Sequence, residues 1–207
     1  MARMPTAQRR ELLLDSAFHV IARHGVDGAT TRAICAEAGV TLSTFHYVFA
    51  SRDDLLAALV QRGIAAELTV ISAALESAAT CDSRGRDGLL TILTDALTGY
   101  LDGVIDDPER EQAMISLNQY ARQTEGLAAF GREMYLQYYQ VVELGLAAAA
   151  AQAGVRFNRP TADLAPLVVA ATDGMTLAYL NTRDRRICET IVEATVTLLS
   201  LHISEAP

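Results

Sequence analysis

"GVTLSTFHYVFASRDDLL", Gly39 to Leu56, sets Phe45, His46, Tyr47 and Phe49 close together and follows them with Ser-Arg-Asp-Asp. Its punctuation reads as a short helix between two others. Thr41 suits the N-cap of a helix over Leu42–Phe49. Ser51 suits the cap of the next helix, with Asp53 and Asp54 in its first turn, where negative charge favours the helix dipole. Upstream, Thr30 can cap Thr31–Ala38, and Gly39 closes that segment after barely two turns. A first helix, Thr6 to His24, presents Leu13, Leu14, Ala17, Phe18 and Ile21 on one face and meets Gly25 as a left-handed stop. Three such helices with Gly-Val between the second and third have the form of a helix-turn-helix.

Spacing separates inside from outside. Ile34, Ala38, Val40, Phe45 and Phe49 are spaced to face the first helix, which leaves Leu42, Ser43, Thr44, His46 and Tyr47 outward. An eight-residue helix is about 12 Å long, enough to lie across a few base pairs of a major groove. Hydroxyls, tyrosine, histidine and arginine near helix N-termini can all donate to phosphate oxygens. Arg52, directly after the Ser51 cap, joins a fork of donors to the positive end of a helix. Taken alone, His46 and Tyr47 would read as an ordinary exposed pair; the surrounding spacing favours a contact surface.

The segment "ATTRAICAEAGVTLSTFHYVFASRDDLL", Ala29 to Leu56, resembles the DNA-binding motif of TetR-family transcriptional repressors. The likeness spans about residues 8–60. It lies in the Thr-Thr-Arg start of the second helix, the Ala-Gly-Val turn, an aromatic-rich third helix ending in Phe, and the Ser-Arg-acid-acid-Leu-Leu start of the fourth. The resemblance implies phosphate contacts by Thr31, Thr44, Tyr47 and Arg52. It sets Arg32, Leu42, Ser43 and His46 nearest the base edges. Leu42 stands where many members carry a polar or basic residue, His46 precedes Tyr47, and Val48 stands where some members have histidine. Leu42 can make only apolar contact, for example with a thymine methyl, and Arg32 is the best candidate for a guanine contact.

The rest of the chain keeps the helical period, broken near residues 80–88, 106–108 and 122–126. Further helices are expected over Leu127–Ala153, Asp163–Leu180 and Asp184–Ile203, with "GVRFNRP" as a loop. The expected class is all-α, about nine helices, with residues 1–52 as a helix-turn-helix domain and 53–207 as an effector-binding and dimerisation domain. The stretch "LAPLVVAATDGMTLAYL" is apolar on nearly all sides, so it must be covered all round. A second copy is the natural cover, with Leu167, Ala171, Met175, Ile191 and Leu198 at the interface; the family resemblance implies the same homodimer. Tyr100, Met114, Asn118, Phe130, Met134, Tyr138 and Asp173 mix aromatics, Met and isolated polar groups as an effector cavity would, and as an ordinary core also would. A buried Asp173 needs a partner, either a protein hydroxyl or a ligand cation. The expected ligand is small and largely apolar.

The net charge of −8 is unevenly spread. Residues 1–52 hold six arginines against four acids, and residues 53–207 hold eleven against twenty-one. An acidic whole therefore does not exclude DNA as a partner of a locally basic part. No uninterrupted apolar run reaches the roughly 18 residues of a membrane span, and the N-terminus lacks a signal peptide's apolar stretch, so the cytoplasm is the expected location. Cys35, Cys81 and Cys188 lie far apart without C-x-x-C, which disfavours a metal site or a disulfide framework. His19 and His24 are badly spaced for a metal pair. A helical enzyme or small-molecule carrier is the competing reading, as is the same fold serving protein partners alone. Against an enzyme stand the lack of a Gly-rich phosphate loop, of G-x-S-x-G, of H-E-x-x-H and of any lysine for a Schiff base. No catalytic residue and no cofactor is expected.

Overall fold

A computed structural model describes residues 4–62, 84–124 and 128–205. These residues form an all-α fold with one small strand pair. The early boundaries have local causes. In α1 (Thr6–Gly28), Gly25 takes φ 69° as a left-handed stop would, but helical backbone resumes to Gly28, so the glycine kinks the helix instead of ending it. In α2 (Thr31–Ala38), Thr30 Oγ1 accepts the Ala33 N–H at 3.1 Å, and Gly39 closes the helix at φ 63°. In α3 (Leu42–Val48), Thr41 Oγ1 accepts the Thr44 N–H at 3.3 Å; Phe49 is already extended, one residue earlier than expected. α4 is described over 52–62. Ser51 Oγ accepts the Asp54 N–H at 3.1 Å while Asp54 Oδ2 accepts the Ala50 N–H at 3.0 Å, a reciprocal cap.

The chain packs as two compact units. The first joins Met1–Ala65 to Pro108–Glu133. It therefore reaches beyond the motif that ends near residue 52. Arg62 on α4 binds Asp15 at 2.6 Å and Glu11 at 3.2 Å on α1, and α6 (Pro108–Gln123) packs along α1. Leu13, Ile21, Ile34, Phe45, Phe49 and Leu117 are buried in this unit. Ala38 and Val40, expected inside, are only half-buried.

The second unit joins Ala66–Asp107 to Met134–Pro207. It holds α5 (Gly85–Asp106), α7 (Ala128–Ala153) from Met134 onward, α8 (Thr161–Thr182) and α9 (Arg185–Ser200). Leu89, Leu101, Leu146, Leu164, Cys188 and Leu199 make its core. By length and composition α5 is apolar enough to cross a membrane even though charged residues interrupt it; its leucines are packed in this core. Two strands occupy the expected loop and the expected end of the last helix. Gly154, at φ 71°, ends α7, and β1 (Val155–Phe157) pairs antiparallel with β2 (Ile203–Glu205), burying Val155 and Ile203. The N–H groups of Leu201 and His202 bond the carbonyls of Leu198 and Leu199, tightening and closing α9 before residue 203. α8 starts two residues before Asp163, which leaves Pro166 inside the helix on an exposed face at the cost of one backbone bond.

Met175, expected between subunits, is 0% exposed and packed in its own unit's core, with Cys188 Sγ at 3.6 Å from its carbonyl oxygen. Leu167, Leu177, Ile187 and Leu198 are exposed, and Ala171 and Ile191 are half-buried. The inner arc of α8 is thus satisfied within the chain, and its outer arc is not. Cys35 and Cys188 are free and buried; Cys81 lies outside the described residues.

Candidate functional site

The α2–α3 surface is built by burial of one face. Phe45 is fully buried, its ring 5.8 Å from Phe49 and edge-on to His46 at 5.5 Å. With Phe45 anchored, Leu42, Ser43, His46 and Tyr47 are exposed, Tyr47 by 63%. Thr31 and Thr44 are half-buried. The Thr41 hydroxyl joins Ser43 Oγ at 2.8 Å and Thr44 Oγ1 at 3.0 Å, so these hydroxyls form one cluster at the start of α3. A hydroxyl cluster at a helix N-terminus offers donors and the positive dipole end to the same phosphate oxygens.

Two arginines flank this surface and differ. Arg32 is exposed on α2 and has no ion pair or hydrogen bond among the described residues. Arg52, expected to reach outward, turns into the unit. Its Nε donates to the Ala29 carbonyl at 2.8 Å, one Nη donates to the Val26 carbonyl, and the other donates to Tyr120 Oη at 3.3 Å. The guanidinium also lies 5.5 Å from the Tyr120 ring centroid and 3.8 Å from Asp53. Arg52 thus caps the turn between α1 and α2 and ties it to α6. Sequence reasoning missed Tyr120 in this role; the two residues are 68 positions apart.

The seven expected effector residues divide between the two units. Met114 and Asn118 belong to the first, where Met114 is a core residue; Asn118 Oδ1 is buried without a hydrogen-bond partner among the described residues. Phe130 falls in the α7 range, but its side chain lies outside what is described. Tyr100, Met134, Tyr138 and Asp173 belong to the second unit. There Tyr135 Oη donates to Asp173 Oδ2 at 2.8 Å, and Tyr100 Oη shares a 2.9 Å hydrogen bond with Thr176 one turn along α8. Burial pushes the Asp173 carboxyl above its ordinary range, and the Tyr135 hydrogen bond offsets part of that shift. Tyr135 is the partner that sequence reasoning left unassigned; its signal was the Tyr135, Tyr138, Tyr139 spacing on one helix face.

Elsewhere in the second unit an open cleft of about 540 Å³ is lined by Ala147, Ala150, Val155, Arg156, Phe157 and Arg159, and by none of the expected effector residues. Among the described residues no group of three or more His, Cys, Asp or Glu side chains is arranged to hold a metal ion.

Residues 13–59 match the family model described as bacterial regulatory proteins, tetR family. Over 196 residues the chain is 23% identical to the HTH-type nicotine-responsive transcriptional repressor HdnoR of Paenarthrobacter nicotinovorans, covering 93% of this chain and 96% of that one. Its fold is similar to that of a transcriptional regulator from Pseudomonas aeruginosa PAO1, at 23% identity and TM-score 0.75, over 96% and 93% of the two chains. It is also similar to the fatty acid degradation regulator FadR from Bacillus halodurans, at 16% identity and TM-score 0.71, over 97% of each.

Proposed function

Since the chain belongs, through residues 13–59, to the tetR family of bacterial regulatory proteins, we propose that it is a sequence-specific DNA-binding repressor that acts as a homodimer on an operator and is released by a small, largely apolar ligand. The observation that carries this reading is the α2–α3 face: Phe45 is buried behind it while Arg32, Ser43, His46 and Tyr47 stand exposed. Thr31, Thr44 and Tyr47 contact phosphates; Arg32, Leu42, Ser43 and His46 lie against base edges. Arg52 acts through the α1–α2 turn, binding its Ala29 and Val26 carbonyls and the Tyr120 hydroxyl. No step of this function is enzymatic, and a repressor that acts on the chromosome works in the cytoplasm.

The exposed Leu167, Leu177, Ile187 and Leu198 support a second copy of the chain as the cover of α8 and α9. Dimerisation spaces two reading helices for successive major grooves, about 34 Å apart. The effector binds in the second unit among Tyr100, Met134, Tyr138 and Asp173 and favours a spacing that misfits those grooves. The relative named for its nicotine response supports a small-molecule effector here. A coupling of roughly 1–3 kcal/mol is typical of such switches, and operator must then weaken ligand binding by the same factor.

The test is retention of duplex DNA. Purified protein is mixed with genomic promoter fragments, and the retained fragment is titrated against salt. A retained fragment whose binding falls linearly on a log–log salt plot is expected. Failure to retain any duplex at low salt contradicts the reading, and so does equal affinity for every fragment.

A further inference from the structure

One arginine of the first unit is held in place without a charged partner. Arg10 on α1 is half-buried, and its guanidinium carbon lies 4.8 Å from the centroid of the Phe49 ring. Residues 10, 13, 14 and 17 share one face of α1, on which Leu13, Leu14 and Ala17 are buried. Arg10 ends that buried stripe, with its head over Phe49, itself 1% exposed. A ring contact draws the cation to the π face and occupies none of the five guanidinium N–H groups. Those donors meet no acceptor among the described residues, and no carboxylate pairs with Arg10 there. Its neighbours differ: Arg23 pairs with Glu37, Arg62 pairs with Glu11 and Asp15, and Arg52 is turned into the α1–α2 turn.

Position gives this open fork its partner. Phe49 is the C-cap residue of α3 and stands two places after Tyr47, which is 63% exposed. Arg10 is thus fixed at the C-terminal end of the reading helix. The Thr41, Ser43 and Thr44 hydroxyls cluster at its N-terminal end. A helix of 7 residues is about 10 Å long, close to the roughly 12 Å width of a major groove. Laid across the groove, such a helix brings its two ends to the two phosphate walls. Base edges lie under the outward side chains of α3, so a group fixed at its end meets a wall instead. An arginine fork matches phosphate oxygens through paired N–H bonds. Arg10 lies outside residues 13–59, the segment shared with the family model.

We propose that Arg10 is a phosphate-binding residue of the DNA interface, held by the Phe49 ring at the end of α3 opposite the Thr41 hydroxyl cluster. This rests on the regulator reading above and adds α1 to the surface that meets DNA.

The test titrates the full chain and its variants with the retained promoter fragment and with a scrambled duplex across a range of salt. Circular dichroism follows folding and melting. Arg10→Met removes the charge and keeps an unbranched stem over Phe49. It should bind both duplexes roughly tenfold more weakly at low salt, with a log–log salt slope lower by about 0.9. Arg10→Gln, a second neutral variant, should show the same lowered slope. Arg10→Lys keeps the charge and should keep the wild-type slope. A merely structural cover over Phe49 would lower the melting temperature of the neutral variants and leave their slope unchanged. A wild-type slope in folded Arg10→Met or Arg10→Gln, or a loss confined to the promoter fragment, overturns the contact while the regulator reading stands. A wild type that binds no duplex rejects the regulator reading, and the contact falls with it.

Discussion

On α2 and α3 the polar residues are outside and the aromatic anchor is inside: Phe45 is buried, while Arg32, His46 and Tyr47 are exposed. On α7 and α8 the arrangement is reversed. Tyr135 and Asp173 are half-buried and bonded to each other, and Tyr138 is buried, its hydroxyl without a hydrogen-bond partner among the described residues. Outward polar groups on a rigid short helix meet a large, charged, hydrated partner. Under the proposed function, the inward polar groups of α7 and α8 would meet a guest small enough to be enclosed. The contrast also separates two kinds of arginine. Arg32 is available to a partner, whereas Arg52 holds together the surface that Arg32 decorates.

The strongest break of this contrast is in the second unit's core. Met175→Glu buries an uncompensated charge, a penalty of roughly 3–5 kcal/mol. The subunit should unfold or aggregate, seen as lost helical circular dichroism. Leu198→Glu, at a position 42% exposed, should leave the helical signal intact and shift sedimentation from dimer to monomer, with operator binding lost. Similar outcomes for the two variants would deny that α8 and α9 have an inner and an outer arc.

Next in size is Arg52→Ala, which strips charged donors from two carbonyls of the α1–α2 turn. Hydrogen bonds to charged groups are worth about 1.5–3 kcal/mol, and a loss near that range should appear in denaturant unfolding. Tyr120→Phe, which deletes one partner and keeps the ring beneath the guanidinium, should lose less.

Asp173→Asn should act in the opposite direction. A carboxyl whose folded pKa is raised binds its proton more tightly folded than unfolded. Its contribution to stability is therefore present at low pH and is lost as pH rises through the raised value. Above the raised value the wild type carries the cost of a partly buried charge, so Asp173→Asn should melt higher there. The gain should shrink as the pH is lowered into the ordinary carboxylate range. A gain that persists unchanged in acid would locate the effect elsewhere than in the charge.

The first four helices were legible because their signals are local. Thr30, Thr41 and Ser51 each cap a helix within three residues of themselves, and Gly39 needs only its own φ. Helix class and the outward set on α3 followed from spacing. The direction of Arg52 was not legible, since its partners lie 23, 26 and 68 positions away and a cap-adjacent arginine can as well face a phosphate. Met175 and Leu198 could not be told apart because α8 is apolar nearly all round and periodicity cannot say which arc a neighbour covers. The β1–β2 pair escaped because three-residue strands carry almost no pattern; Val155 and Ile203 are joined only by the fold. In the effector set, residue types marked candidates but not which unit each would join, and that division separates Asn118 from Asp173.

The central claim is that the α2–α3 face reads DNA, with Arg32 in contact and Arg52 behind it. Its most direct test is to titrate wild type, Arg32→Ala and Arg52→Ala with the retained operator and with a scrambled duplex across a range of salt. Arg32→Ala should lose roughly 1–3 kcal/mol on the operator and far less on the scramble, relaxing preference at one base pair. Arg52→Ala should weaken both duplexes in proportion while its salt slope stays that of the wild type, because no counterion-releasing contact is removed. Unchanged operator binding by Arg32→Ala, or a salt slope flattened by about one ion in Arg52→Ala, would contradict this assignment.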